Sequence, residues 1–233
     1  ARENYHLAVG LLSRYDEKQL EKLNEQEDMI DHMEGALDQY LVQLSGHSLD
    51  SKDSDLVSDL LHALSDFERI GDYAVNLSES ATIVQEKNLI FSSIAQKELE
   101  TVCSAISEAL DLTMNAYRFH DSRAAFQVEP LEEVVDLLTA TLRDRHVERL
   151  KAGTCTVEVG TQFLELLINL ERISDHCSNA AVRILHQYAQ RDTLVREDIH
   201  SYLHNLHQGG SDDFNRLFQE DKEKYALPAF DSV

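Results

Sequence analysis

The chain has 233 residues, of which 43 are Asp or Glu and 21 are Lys or Arg, so its formal net charge is -22 with histidine neutral. This charge excludes nucleic acid as an expected partner, because a polyanion repels a protein without a basic patch, but it attracts metal cations. With 8 Gly and 2 Pro in a sequence rich in Leu, Ala, Glu and Gln, the composition favours an all-α fold with long helices and few turns.

Signals for export and membrane insertion are not evident in the sequence. No apolar run reaches the ~18 residues that a transmembrane helix needs, and the polar first residues are followed by no apolar stretch typical of a signal peptide. We therefore expect no transmembrane span in this chain. A helical pattern starts at once and without an obvious capping residue, so we also expect the chain to have been cut from a larger protein.

The cysteines indicate a reducing compartment. Cys103, Cys155 and Cys177 are an odd number and form no CxxC pair, which is untypical of a disulfide framework. We interpret Cys155 and Cys177 as small buried residues rather than as nucleophiles.

Apolar residues at helical spacing predict helices along most of the chain. The first helix is marked by Leu7, Leu11 and Leu12. Asp16, followed three residues later by Gln19, resembles a capping box that begins a long second helix. Residues 45–48 (Ser-Gly-His-Ser) end that helix, a third begins near Ser54, and the pattern restarts near Ile90.

The restart is an internal repeat. Asp16 matches Asp121 at an offset of 105 residues, whereas Glu68 matches Glu171 at an offset of 103. The change of offset falls between the second and third helices, where a loop tolerates insertions. The sequence therefore predicts two tandem, pseudo-symmetric three-helix bundles, residues 1–88 and 89–190. A C-terminal extension, residues 191–233, has no counterpart; it is predicted to be helical over 192–207 and to end in a mobile or docked tail.

Acidic residues recur in pairs at matching places of the two repeats. The four pairs are Glu27 with Asp31, Glu68 with Asp72, Glu132 with Asp136, and Glu171 with Asp175. Residues four apart share one helix face, where two carboxylates repel by about 0.2–0.5 kcal/mol. An asparagine follows four residues after the aspartate in two of these pairs: Asn76 after Asp72, and Asn179 after Asp175.

These pairs predict a metal site in each bundle if the faces of the second and third helices meet. Four converging carboxylates offer oxygen ligands to iron, manganese, magnesium or calcium. His176 could add a nitrogen ligand in the second bundle. The alternative is a solvated helix face whose carboxylates are neutralised by Arg69 and Arg172, and the spacing alone leaves both interpretations open.

Other motifs are weaker. His200, His204 and His207 form a helical stripe that could bind zinc or nickel, although such a stripe is typical of a polar helix face. No glycine-rich phosphate loop and no GxSxG word occurs.

The repeated words resemble those of one protein family. ERIGDYAVN and ERISDHCSN are similar to the repeated signature of PhoU-type domains, and EDMID and EEVVD resemble the acidic word of that family's middle helices. The resemblance covers about residues 1–190. Ser174, Cys177 and Glu132 depart from the signature, which has Gly, Ala and commonly Asp at these positions.

The resemblance implies multinuclear clusters of iron, or of another divalent or transition metal, at the surface of each bundle. By matched position the ligands are Glu27, Asp31, Glu68 and Asp72 in the first repeat, and Glu132, Asp136, Glu171 and Asp175 in the second.

Within the family, residues 3–45 and 51–76 are similar to the cytoplasmic PhoU-like domain of bacterial sodium/phosphate (type II) cotransporters. The stretch Ser51–Asp55 lacks the Pro and Arg typical of stand-alone PhoU regulators. This likeness implies a non-enzymatic accessory domain that modulates phosphate uptake. It would lie at the cytoplasmic face, tethered to the inner membrane, with the membrane part of the transporter as its partner and a homodimer as its expected assembly.

Three alternatives stay open at this point. The first is a stand-alone PhoU-type regulator of phosphate transport and signalling. The second is a carboxylate-bridged metal enzyme, which needs an enclosed site with an open coordination position. The third is a structural bundle that binds a protein partner and does not need its acidic pairs.

Overall fold

The computed structural model describes residues 1–192 and 211–230, with side chains for 1–187 and 211–230. Seven helices lie in these ranges: α1 (Arg2–Ser13), α2 (Glu17–Ser45), α3 (Ser51–Glu86), α4 (Ser93–Phe119), α5 (Ser122–Lys151), α6 (Val157–Asp192) and α7 (Asp212–Lys224). The described ranges contain no strand. The all-α prediction is confirmed.

Aspartates and serines begin the helices. Asp16 accepts a hydrogen bond from the backbone N–H of Lys18 (2.9 Å), and its repeat counterpart Asp121 accepts one from Arg123 (2.9 Å). Asp50 caps α3 in the same way, so that helix begins three residues before the predicted Ser54. Such caps stabilise a helix by about 1 kcal/mol each because they satisfy N–H groups of the first turn.

Helices α1–α3 pack together, α4–α6 pack together, and α3 lies against α6. The two long helices run antiparallel, since Asp59 receives a hydrogen bond from Gln187 (3.3 Å) while Asn76 donates one to Asn169 (3.4 Å). Their apolar faces belong to one continuous core that includes Ile70 and Ile173. The repeats are therefore joined through their third helices.

The matching helices of the two repeats differ in length and in burial within residues 1–192. Helix α1 has 12 residues whereas α4 has 27. Helix α2 buries two residues, Leu23 and Leu41, whereas α5 buries twelve. The N-terminal half of α4 accounts for part of the difference: Glu98, which is 0% exposed, accepts hydrogen bonds from Arg145 (2.9 Å) and Arg149 (2.7 Å) of α5.

The tail is docked on the second repeat. Ser211 accepts a hydrogen bond from the N–H of Phe214 (3.2 Å) and begins α7, a helix that the sequence analysis did not predict. Helix α7 packs against α5. Beyond it, Arg145 donates a hydrogen bond to the carbonyl of Pro228 (2.9 Å). The predicted helix 192–207 and the histidine stripe lie outside the described residues, apart from Asp192 at the end of α6.

Two of the three cysteines are buried, and burial raises the pKa of Cys103 and of Cys177 to about 12. The interpretation of Cys155 as a buried residue was wrong, because it is half-buried after the end of α5. Among the described residues, no helix combines the length and the apolar character that crossing a membrane requires.

We expect Gly160→Ala to lower the free energy of unfolding by about 1–3 kcal/mol. A Cβ atom at Gly160 would lie 2.6 Å from Nε2 of His146, and that imidazole cannot easily move because it is buried and stacked on Phe163. Gly35→Ala is the matched control: nothing lies within 4 Å of its Cβ position, so it should gain about 1 kcal/mol of helix propensity. Urea unfolding measures both, and equal effects would contradict this account of the α5–α6 contact.

Candidate metal centre

Helices α2 and α3 bring three carboxylates together in the first repeat. Glu27 and Asp31 lie one turn apart on α2, and Asp72 faces them from α3. Each offers one oxygen, and the three oxygens lie within 4.8 Å of one another. Asp31 is exposed and the other two are half-buried. An oxygen-only set of this size and openness suits a hard or borderline cation that keeps some water ligands.

Helices α5 and α6 repeat the arrangement in the second repeat. Glu132 and Asp136 lie on α5, and Asp175 faces them from α6, again with one oxygen from each within 4.8 Å of the others. The order of burial is the same, with the middle residue exposed. We call these two sets the first and second acidic clusters. They lie at the matching positions that the internal repeat predicts.

The fourth carboxylate predicted for each cluster lies outside these sets of three. Glu171 accepts a hydrogen bond from the hydroxyl of Thr139 (2.9 Å) and forms a close ion pair with Arg143. Glu68 lies 3.7 Å from Nε of Arg69. Partial burial, and then the neighbouring charge of Asp72, raise the pKa of Glu68, so it adds to the negative field of the first cluster. A metal ion would compete with Arg143 for Glu171 and with water for Glu68.

The arginines of the repeated words lie beside the clusters. Arg69 contacts Asp72 at 3.4 Å, and Arg172 contacts Asp175 at 3.2 Å. Both guanidinium side chains are more than half exposed, at 54% and 58%. Exposed pairs of this kind contribute little stability and rearrange easily. The arginines therefore offset part of the charge without closing the clusters to a cation.

Repulsion and burial are stronger in the second cluster. Burial, followed by the charges of Glu129 and Asp136, raises the pKa of Glu132 to about 9. Partial desolvation, with repulsion from Glu171 and Asp175, raises the pKa of Asp136 to about 6. In the first cluster, partial burial and the charges of Asp31 and Asp72 also raise the pKa of Glu27. Burial and, after it, mutual repulsion of the carboxylates raise these pKa values, and a bound cation would lower them by offsetting the repulsion.

His176 does not join the second cluster, contrary to the sequence-based suggestion. Its Nδ1 lies 3.0 Å from Asp66 of α3, and its ring stacks on Tyr73. Asp66 also lies 3.5 Å from Nε of Arg183. The imidazole follows Asp175 in sequence, but one residue turns it by about 100° around the helix axis, toward the other repeat. It is part of the α3–α6 interface.

Two residues that lie beside the second cluster were missed in the sequence analysis. Glu129 is 4% exposed and lies one helical turn before Glu132, where it accepts a hydrogen bond from Ser178. Arg143 lies on α5 seven residues after Asp136 and forms the ion pair with Glu171 of α6. The spacing of Glu129 and Glu132 was a visible signal, because i and i+3 share a helix face. The pairing of Arg143 needed the tertiary structure.

Taken together, the fold and the clusters define a class of protein: a pseudo-symmetric pair of three-helix bundles, each carrying an acidic cluster between its second and third helices. The PhoU domain family matches residues 1–81 and 99–184, so the chain belongs to this family. The PhoU resemblance drawn from the repeated words is thereby confirmed. Members of the family are regulatory accessory proteins, which confirms the prediction that the chain is not an enzyme.

Curated relatives are similar over most of the chain. A phosphate-specific transport system accessory protein, PhoU homolog 1 of Thermotoga maritima, is 24% identical over 79% of this chain and 79% of its own. The PhoU homolog of Pseudomonas aeruginosa is 25% identical over 81% of this chain and 77% of its own. The names of both refer to accessory proteins of a transport system, not to domains of a sodium/phosphate cotransporter.

Solved structures share the fold. The crystal structure of PhoU from Pseudomonas aeruginosa superposes with a TM-score of 0.74 at 22% identity, covering 81% of this chain and 90% of that one. The phosphate transport system regulatory protein PhoU from Streptococcus pneumoniae gives 0.71 at 20% identity, covering 83% and 89%. At this identity the likeness shows the helical architecture alone.

We expect Glu132→Gln to stabilise the metal-free protein at pH 8 and to change little at pH 4.5. The pKa of Glu132 is raised in the folded state to about 9. The stability that its protonated form contributes is therefore present below the ordinary pKa of about 4.5 and is lost as the pH rises toward 9. Glutamine stays neutral throughout and removes this loss.

Thermal unfolding of the chelator-treated protein at the two pH values measures the effect. Glu148→Gln, an exposed acid on the same helix, is the control and should lack the pH-dependent gain. An equal shift of the melting temperature at both pH values would show that Glu132 titrates like a surface carboxylate.

Proposed function

We propose that this chain is a PhoU-type regulator of phosphate uptake that binds a metal ion at each acidic cluster and acts through contact with a membrane transporter. The observation that carries the proposal is the paired geometry: the same three carboxylates meet at matching positions of both repeats of a PhoU-family chain. Each set joins two helices, so a bound cation would cross-link the second and third helices of its bundle.

The transporter is better assigned to the phosphate-specific transport type than to the sodium-coupled type. The curated relatives carry the name of accessory proteins of that system and cover more than three quarters of this chain. A stand-alone type of regulator therefore replaces the cotransporter domain as the leading hypothesis. The cotransporter domain remains the second candidate, because residues Ser51–Asp55 lack the Pro and Arg of the stand-alone type.

Metal binding at the clusters is consistent with their chemistry. Oxygen-only ligands on two neighbouring helices match hard cations, and the raised pKa of Glu132 and Asp136 makes binding pH-dependent, since protons must leave before a cation binds. The proposed ligands are Glu27, Asp31 and Asp72 in one repeat and Glu132, Asp136 and Asp175 in the other, with Glu68 and Glu171 adjacent. Iron and other divalent or transition metals are the candidates.

The metal content of the purified protein tests these ligands. Elemental analysis by inductively coupled plasma mass spectrometry, after reconstitution with iron, should find metal in the parent protein. Asp72→Asn should lose the share bound at the first cluster, Asp175→Asn the share at the second, and the double variant nearly all of it. Asp38→Asn, an exposed acid on α2, is the control. Unchanged metal in the folded double variant would overturn the proposed ligands.

Phosphate uptake tests the regulatory role separately. In cells without the gene, we expect uptake of radiolabelled phosphate to lose its normal dependence on external phosphate, and re-expression to restore it. Medium with sodium replaced by choline separates the two candidates. A regulator of the phosphate-specific system should alter phosphate uptake in both media. A cotransporter domain should alter only the uptake that requires sodium. Identical uptake with and without the gene would contradict both.

A further inference from the structure

The second repeat contains a cavity of about 140 Å³ where the start of α4, the end of α5 and the start of α6 meet. Its polar lining comes from His146 and Arg149 of α5 and from Thr154, Cys155 and Thr156 of the loop before α6. The space is roughly ten times what one water molecule needs, so it can hold a small polyatomic ion. The residues that line it are distinct from those of the acidic clusters.

Two of the lining side chains carry buried nitrogen atoms without a hydrogen-bond partner in the described part of the chain. Arg149 donates from Nη1 to Glu98 (2.7 Å), but its Nε and Nη2 are buried and unpartnered. His146 is 1% exposed, and its Nε2 is also unpartnered. Unsatisfied buried polar groups cost free energy, so they are rare unless a water molecule or an ion completes them. The adjoining cavity offers the space for such a ligand.

The unpartnered nitrogens of Arg149 form the edge of the guanidinium group that recognises oxyanions. Nε–H and Nη2–H lie side by side, so they can donate two parallel hydrogen bonds to two oxygens of one carboxylate or phosphate group. The guanidinium is held by its ion pair with Glu98 and by the ring of Phe163, whose centroid lies 5.1 Å from Cζ. Because the side chain is already ordered, binding would cost little conformational entropy.

The charges at the cavity favour an anion, although the chain as a whole is acidic. Glu98 is shared by Arg145 and Arg149, so this buried group of three carries a net positive charge. Residues 143–151 hold four of the 21 Lys and Arg residues of the chain against two acidic residues. Burial, and then the charge of Arg149, lower the pKa of His146, so its imidazole adds no charge of its own near pH 7.

The first turn of α6 also lies at the cavity. The hydroxyl of Thr156 accepts a hydrogen bond from the backbone N–H of Val159 (3.3 Å), and both residues line the cavity. The N-terminus of a helix carries partial positive charge and favours an anion. Glu158 of the same turn is paired at the surface with Lys87 (2.8 Å), which offsets its charge. An anion in the cavity would therefore meet both the helix end and Arg149.

We propose that this cavity binds a small oxyanion, inorganic phosphate, between Arg149 and the first turn of α6. The guanidinium edge, the local charge and the helix end define the oxyanion chemistry, and the choice of phosphate among small oxyanions rests on the proposed function. The chain would then carry a phosphate site of its own, separate from the acidic clusters. Because the cavity is formed by α4, α5 and α6, bound phosphate would stabilise the packing of these three helices.

Phosphate binding to the full 233-residue chain tests the proposal. The protein is first treated with chelator, so that no metal ion at the acidic clusters can hold phosphate. Equilibrium dialysis with radiolabelled phosphate, in potassium chloride at about 0.15 M, the physiological ionic strength, should show saturable binding of one phosphate per chain. Absence of saturable binding would overturn the proposal.

Competition distinguishes a free ion from a phosphoryl group on a larger molecule. The small cavity should favour the free ion, so glycerol phosphate should displace radiolabelled phosphate much less well than unlabelled phosphate does. Equal displacement by the two would assign the cavity to a phosphoryl group of a larger molecule and overturn the free ion as its ligand.

Two conservative variants locate the site. Arg149→Lys keeps a positive charge beside Glu98 but removes the Nε and Nη2 edge, so it should weaken phosphate binding by at least about tenfold. Arg145→Lys is the matched control, because Arg145 pairs with the same Glu98 but does not line the cavity, and it should bind phosphate like the parent. Circular dichroism checks that both variants fold. Equal loss of binding in both would overturn the assignment to the cavity.

Alkylation of Cys155 tests the location in the unaltered protein. Cys155 lines the cavity and is half-buried, whereas Cys103 and Cys177 are buried with pKa values of about 12. N-ethylmaleimide should therefore react first with Cys155, and saturating phosphate should slow that reaction several-fold. An unchanged rate would place the bound ion elsewhere and overturn the proposed site.

Phosphate binding and uptake regulation can fail separately. A chain that regulates phosphate uptake in cells but binds no phosphate when purified would overturn the cavity site and leave the proposed function standing. A chain that binds phosphate at Arg149 but leaves uptake unchanged would support the site and overturn the proposed function.

Discussion

The antiparallel packing of α3 on α6 is the contact on which the rest of the structure depends. Each of these helices has an apolar side that enters the common core and an acidic side that faces the second helix of its own repeat. Polar contacts across the interface set its register, with Asp66 between His176 and Arg183 near the middle. Because half-buried polar groups pair well in only one alignment, this network favours one register of the two repeats over shifted ones.

The register places the acidic clusters on the outer sides of the joined pair. Asp72 must face α2 if the core side of α3 faces α6, and Asp175 must face α5 for the same reason. The two clusters then differ in their surroundings, not in their ligands. Glu129 and the ion pair of Arg143 with Glu171 lie beside the second cluster. The larger rise in the pKa of Glu132 follows from this crowding and burial, and it makes the second cluster the more dependent on a compensating cation.

Much of this arrangement was predictable from the sequence. Helical periodicity, the offset of the repeat and the i, i+4 acidic pairs predicted the six long helices and the side of each helix that carries carboxylates. The sequence could not tell which carboxylates meet, because Glu171 and Asp175 share one face of α6. In the structure Arg143 of α5 pairs with Glu171, and Asp175 meets the carboxylates of the second cluster. His176 was misassigned for a related reason. Consecutive residues of a helix point about 100° apart around its axis, so the neighbour of Asp175 in sequence does not share its face. Helix α7 was missed because a polar segment without a repeat counterpart has no second copy to support it.

Anomalous diffraction at the iron absorption edge, from crystals grown in the presence of iron, tests the central claim most directly. The account predicts two equivalent cation sites, one in each repeat. One anomalous peak should lie beside Asp72, within coordination distance of Glu27 and Asp31. The other should lie beside Asp175, within coordination distance of Glu132 and Asp136. Density at both places would establish the clusters as metal centres. Peaks elsewhere, or none at either cluster in iron-containing crystals, would contradict the account and leave the acidic pairs as surface charge.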